Sequence, residues 1–340
     1  MGKILAPYGD IGFDLVTLTQ GINKIPNKYG KLTQSGLFSD QPVTDRVVCV
    51  EINNGVLSLI DARPLGSPTP MIGHGKRNKR FFEIPYYPQG DIIYPRDFAS
   101  KIAFGTEDQT NSAAQVMAER GKALKAKHAI TWEYARWMAL DGILRDGSGQ
   151  IIYNWFEEFG ISRKVISFGL ETATTNVESK CADVLVHIEE NLLGETWDGE
   201  VQAYAGKTWM DKFLAHKNVK EYFVGHKAAL KLAGIGANPR KNFDFGGITF
   251  EQVTAQAPDE GGAMRKFIPD DEVRFFPKGT SDTFKRYLAP GEFVEAVNTP
   301  GQELYMKQAE EEMGRWIDVH TESSPLTMCR RPEVLVKGTV

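Results

Sequence analysis

The chain has 340 residues, 41% hydrophobic and 25% charged, so it can bury a sizeable core and is not a disordered polymer. Lys and Arg number 40 against 44 Asp and Glu, a formal net charge of −4. That balance argues against a protein devoted to coating nucleic acid, although it leaves room for a local basic patch.

Cys49, Cys181 and Cys329 are odd in number and form no CxxC pair, so neither a disulfide framework nor a cysteine zinc site is indicated. Buried, reduced thiols are expected. The first residues lack the apolar stretch of a signal peptide, and Ala6 stands where a myristoylation motif needs Ser or Thr. No window approaches the roughly 20 apolar residues of a membrane helix. The chain is expected to be soluble and intracellular when made.

Residues 1–44 read as an extended arm. Their short apolar pieces are separated by Gly21, Pro26, Gly30, Gly36 and Pro42, and no helical period is long enough to bury a face. Such a segment must lean on another part of the protein or on a neighbouring subunit. Val47–Ile52 is rich in β-branched residues, Asn53-Asn54-Gly55 supplies a turn, and Val56–Ile60 returns as strand. Residues 61–80 have no periodicity, and Phe81–Ile84 is strand-like again. Two strands with so long a tip predict a projecting β-loop, since structureless loops of about 20 residues are rare inside compact domains.

The clearest helix is predicted over 107–141. Thr106 and Gln109 fit a capping box, Ile130, Tyr134, Trp137 and Met138 share a face, and Gly142 is placed to end it. At 1.5 Å per residue it would span roughly 50 Å, long enough to serve as a spine. A hairpin follows, Ile143–Arg145 and Gln150–Tyr153 around Asp146-Gly147-Ser148-Gly149. Further helices are expected at 177–193, 207–216 and 228–232, with a strand at 201–204. Residues 242–300 read as β-rich, with strands at 248–253 and 273–276. A short helix at 305–313 and two closing strands complete the reading.

Sequence signals of catalysis are weak. Gly234-Ile235-Gly236 opens like a dinucleotide fingerprint, but Pro239 occupies the third glycine position. The six histidines never fall at metal-ligand spacing, and His128 and His187 lie in predicted helices as satisfied structural residues. GxSxG is absent. The pairs and runs Glu157-Glu158 and Glu310-Glu311-Glu312 read as solvated faces. No catalytic, cofactor-binding or metal residue is assigned.

The basic run Lys76, Arg77, Lys79 and Arg80, at the base of the projecting loop, admits three readings: contact with an acidic neighbouring subunit, contact with nucleic acid, or a solvated loop. The first is favoured, because a net-acidic chain offers such a loop partners across a homomeric interface. Arm, loop and overlong helix all cost ordering entropy that contacts with other chains would offset, so the chain reads as an assembling subunit.

Four stretches resemble the lambda-type (E family) major capsid proteins of tailed bacteriophages: LTQGINKIPNKYGKLTQSGLFSDQPVTDRVVCVEI at 18–52, DIIYPRDFASKIAFG at 91–105, DGILRDGSGQIIYNWFEEFG at 141–160, and FFPKGTSDTFKRYLAPGEFVEAVNTPGQELYMK at 275–307 with SSPLTMCRRPEVLV beyond it. The resemblance implies an α+β chain of the Hong Kong 97-type capsid fold. It implies an N-terminal arm at 1–44, an extended β-loop at 45–90 and a peripheral domain with the spine helix at 91–177. An axial domain at 178–300 and a return to the peripheral domain at 301–340 would follow.

It further implies a structural, non-enzymatic role. Copies would self-assemble as pentamers and hexamers, through a procapsid, into the icosahedral head enclosing phage DNA. Implied partners are other copies, scaffold and portal proteins, a decoration protein, and packaged double-stranded DNA held without sequence specificity. No cofactor or membrane is implied, and the location would be the virion capsid, with host cytoplasm during assembly. A Lys–Asn cross-link, known in some relatives of the fold, finds no matching motif here. Alternative readings are an encapsulin-like protein shell, a nucleic-acid-binding module using the basic run, or a soluble enzyme with an unrecognised site.

Overall fold

The computed structural model describes residues 15–24, 30–52, 78–99, 109–222, 240–259 and 261–340. In chain order the elements are α1 (Leu15–Lys24), α2 (Lys31–Ser35), β1 (Ser39–Pro42), β2 (Val47–Ile52), β3 (Asn78–Glu83), β4 (Tyr87–Ile93), α3 (Pro95–Ala99) and α4 (Gln109–Asp141). Next come β5 (Ile143–Arg145), β6 (Ile151–Asn154), α5 (Trp155–Phe159), β7 (Lys164–Ser167), α6 (Val177–Leu192), β8 (Val201–Ala205) and α7 (Lys207–Ala215). The remainder is β9 (Phe243–Phe245), β10 (Ile248–Gln252), β11 (Gln256–Pro258), β12 (Met264–Lys266), β13 (Glu272–Pro277), β14 (Phe284–Leu288), β15 (Tyr305–Glu310), β16 (Ile317–Ser323), β17 (Pro325–Cys329) and β18 (Val336–Thr339).

The chain divides into two compact units. The first draws on residues up to Val48, on Phe82–Glu133 and on Arg286–Leu326. Its sheet runs β15-β16-β4, all antiparallel, with Tyr305 opposite Glu322 and Ile317 opposite Ile93. The core gathers Leu18 and Ile22 of α1, Val116, Met117, Leu124 and Trp132 of α4, and Ile93, Leu304, Met306 and Val319 from the sheet region.

Two expectations need correction here. The arm segment Leu15–Lys24 is a helix, because Leu15, Leu18, Thr19 and Ile22 make a short apolar stripe buried against β15. A ten-residue helix is marginal alone, so its stability comes from this burial. Residues 305–310 are strand, not helix. Tyr305 and Met306 are buried, and the whole segment pairs in register with β16 before a turn at Glu311–Gly314.

The second unit draws on Cys49–Phe81, Tyr134–Lys285 and Thr327–Val340. Its six-stranded mixed sheet runs β7-β18-β13-β8-β10-β9. β8 pairs parallel with β10 and β18 parallel with β7, while β13 is antiparallel to both β8 and β18. Aromatic rings fill one side. Trp209 stacks on Phe213 at 4.9 Å and on Phe250 at 5.8 Å, and Phe168 meets Trp209 edge-on at 5.3 Å. α6 buries Val177, Cys181, Val184, Ile188 and Leu192 along one stripe and is capped by the Asn176 side chain, which accepts from the Ser179 N–H.

The spine helix is continuous from Gln109 to Asp141, and Gly142 ends it in left-handed backbone (φ +74°) as expected. The hairpin pairs Ile143 with Asn154. The strands at 201–205, 248–252 and 272–277 and the helices at 177–192 and 207–215 lie where the residue pattern places them. Cys181 and Cys329 are buried, but Cys49 is exposed. The reason is alternation: Val48 and Val50 face inward, which leaves Cys49 on the outer side of β2. The strand expected at 56–60, the cap at Thr106, the helix at 228–232 and the Gly234–Pro239 turn lie outside the described residues.

Candidate assembly surface

β2 and β3, on either side of residues 53–77, pair as a two-stranded sheet. Phe82 and Ile84 are buried, whereas Phe81 is 68% exposed beside exposed Lys79 and Arg80. Arg80 Nη1 lies 3.4 Å from Glu158 Oε2, both side chains well exposed. A pair so solvated contributes well under ~1 kcal/mol and leaves the guanidinium free to exchange partners. Lys76 and Arg77 lie outside the described residues.

Several groups that chemistry could use are held structurally among the described residues. Burial pushes the Cys181 thiol up to about 12 and raises the Cys329 thiol further, so both stay protonated. His128 is locked between Ser323 and Thr321, and His187 reaches the Glu333 carbonyl at 3.0 Å. Among the described residues, no group of three or more His, Cys, Asp or Glu could hold a metal ion. None of the described helices is long and apolar enough to cross a membrane.

What the first unit does contain is a clasp on α1 and α2. Lys125 of the spine is buried, and its Nζ donates to the carbonyls of Ile22 (2.8 Å) and Asn23 (3.2 Å), the C-terminal turn of α1. Eight residues on, buried Glu133 accepts the N–H of Leu32 (2.8 Å), the N–H of Thr33 (3.1 Å) and the Thr33 hydroxyl (2.9 Å), capping α2. A cation thus meets the negative end of one short helix and an anion the positive end of the next. Gly30 sits at φ +112°, and a Cβ there would collide with the Glu133 carboxylate, so this approach requires glycine.

Glu133→Ala should therefore lower stability by about 1–3 kcal/mol, from the capping and charged hydrogen bonds lost. It should also open residues 30–36 to limited proteolysis. A digestion pattern and melting temperature identical to wild type would show that the clasp does not hold the segment.

Beyond the clasp, Arg286 of β14, 2% exposed, binds both oxygens of Asp40 in β1, reaches Glu303 Oε1 at 2.9 Å and lies over the Trp132 ring at 5.7 Å. Arg286 thereby joins β1, the spine helix and the approach to β15 within this unit.

A model of the family described as Phage major capsid protein E matches residues 14–340. The chain belongs to that family. This capsid protein is 28% identical to the major capsid protein of Pseudomonas phage KPP10, over 96% of each chain. It is 24% identical to that of Salmonella phage Felix O1, over 95% of each.

Among solved structures, a prophage protein of Escherichia coli CFT073 described as a capsid protein superposes with a TM-score of 0.58 at 13% identity, covering 96% of this chain and 99% of that one. A phage-related protein of Bordetella bronchiseptica RB50 gives 0.50 at 8% identity, covering 95% and 96%. The fold is the Hong Kong 97-type capsid fold, an α+β architecture, and the capsid protein is a structural subunit of the phage shell located in the virion.

Proposed function

We propose that the capsid protein assembles as pentamers and hexamers into an icosahedral head around double-stranded DNA, and that it performs no catalysis. The observation that carries this reading is the match of the capsid-protein family over residues 14–340. The structure supports it: among the described residues, buried Lys125, His128, Glu133 and Arg286 bond to other parts of the same chain.

The domain scheme of arm 1–44, extended loop 45–90, peripheral domain 91–177 with the return 301–340, and axial domain 178–300 belongs to the same proposal. Lys76, Arg77, Lys79 and Arg80 would contact an acidic patch on a neighbouring copy. Scaffold, portal and decoration proteins would be transient or peripheral partners, DNA would touch the inner face without sequence specificity, and assembly would occur in the host cytoplasm.

Electron microscopy and light scattering of the purified chain test the proposal. Rings or closed shells of uniform size are expected at high concentration or with scaffold added, and a monomer under both conditions would overturn it. Deleting Arg63–Lys79 is expected to abolish shells while leaving the chain folded. Normal shell yield from that deletion would remove the loop from the assembly machinery.

A further inference from the structure

Two stretches of sequence in the second unit carry opposite charge. Residues 177–200 hold seven acidic side chains and a single lysine, whereas residues 207–241 hold eight Lys and Arg against two acids. Part of each set is consumed internally. Glu195 accepts from Thr283 and Arg331 is beside it, Glu200 pairs with Lys278, Lys212 with Glu171, and Arg240 with Asp211. Others are exposed with no ion pair among the described residues: Glu178, Asp183, Glu189 and Glu190 on α6, and Lys207, Lys217, Lys220 and Lys241 on and around α7.

α6 is organised for contact on its outer side as well as its inner one. With Val177, Cys181, Val184, Ile188 and Leu192 buried, the opposite face carries Ala182 and Val186 in its centre, with Leu193 just past its C-terminal end. Val186 is 51% exposed and Leu193 58%. Helical rotation of about 100° per residue places Glu178 and Glu189 along one margin of that face, and Asp183 and Glu190 along the other. An apolar strip rimmed by charge is the anatomy of a protein interface, and the acidic rim specifies a basic partner surface.

We propose that this outer face of α6 docks against the lysine-bearing face formed by α7 and residues 217–220 of a second copy of the chain. The two faces are different surfaces of one unit, so the contact is head-to-tail, the kind that closes into rings when the rotation allows. The inference rests on the assembly reading above and deepens it by naming the surfaces that meet. Exposed ion pairs contribute little singly, but reversing one side sets like charges opposite each other at every contact of the ring.

The test is a charge swap read as the threshold concentration for ring or shell formation by light scattering. Glu189→Lys with Glu190→Lys should raise that threshold about tenfold or more, and so should Lys217→Glu with Lys220→Glu. All four changes together should return it to within about threefold of wild type, because the complementarity is restored in inverted form. Val186→Gln, a neutral change in the strip, should raise it by a smaller factor, and near-UV circular dichroism should show every variant folded.

Half-swapped chains that assemble at the wild-type threshold would overturn the interface, as would a folded fourfold variant no better than the halves. If wild type itself never assembles, with or without scaffold, the assembly reading fails and this interface fails with it.

Discussion

Asp141→Ala is expected to cost about 3–5 kcal/mol of folding stability, lowering the melting temperature by roughly 10 °C. Asp141 is the last residue of the spine helix and is buried. Its Oδ1 lies 3.1 Å from Arg274 Nη2 and 2.5 Å from Arg163 Nη2. Burial works to raise the Asp141 pKa, but Arg274 and Arg163 outweigh it and hold the carboxyl below its ordinary value. Arg274 is 4% exposed, and its other bonds go to the carbonyls of Trp137 (3.2 Å) and Phe267 (3.3 Å). Two neutral acceptors cannot compensate a guanidinium cut off from water, so removing the carboxylate strands the charge.

The double variant Asp141→Leu/Arg274→Met should recover most of the loss, since an apolar pair avoids both desolvation penalties. Urea denaturation of the three chains decides it. If Asp141→Ala costs less than about 1 kcal/mol, the buried pair is not what secures the end of the spine.

Much of this scaffold is legible in the residue pattern because its segments carry their own signals. Gly142 ends a run with a shared apolar face, Asp146-Gly147-Ser148-Gly149 is a turn sequence, and the β-branched and aromatic stretches at 248–252 and 272–277 sit where strands form. The misreadings have a common origin in tertiary context. α1 is too short to announce itself, and its partners (Met306 N–H on Thr19 Oγ1, Lys125 on its last carbonyls) come from residues about 100 or more positions away.

Residues 305–313 mix buried Tyr305 and Met306 with a triple glutamate, a pattern that fits a helix face until β16 is seen to pair with it. The basic run at 76–80 stands out because four of its five residues are cationic. The charge division between 177–200 and 207–241 was equally present, but it is spread at helical spacing and cancels in the net figure of −4. Only the buried stripe of α6 shows which of those acids share an outer face.

The first unit should weaken steadily between pH 6.5 and about 4 because of His128. The bond pattern assigns the tautomer. Thr321 spends its single hydroxyl hydrogen on the Gln89 carbonyl (2.9 Å), so His128 Nε2, 3.1 Å from that oxygen, must be the donor. Nδ1 then accepts from the Ser323 hydroxyl at 2.9 Å, whose oxygen in turn receives the Trp132 indole N–H at 3.1 Å. Every hydrogen in the chain has a place only while the imidazole is neutral.

Burial chiefly, with His320 and Lys127 adding repulsion, lowers the His128 pKa from 6.5 to about 4. A folded value below the unfolded one means that the unfolded chain takes the proton first. The stability that His128 contributes is therefore fully present above pH 6.5 and lost as pH falls toward 4, amounting to about 3 kcal/mol over that window. His128→Gln, which keeps a donor and an acceptor but cannot titrate, should be less stable at pH 7.5. Its stability should nevertheless fall about 3 kcal/mol less than wild type between pH 7.5 and 4. Denaturation midpoints at four or five pH values give the two slopes, and parallel curves would mean that the proton is taken up elsewhere.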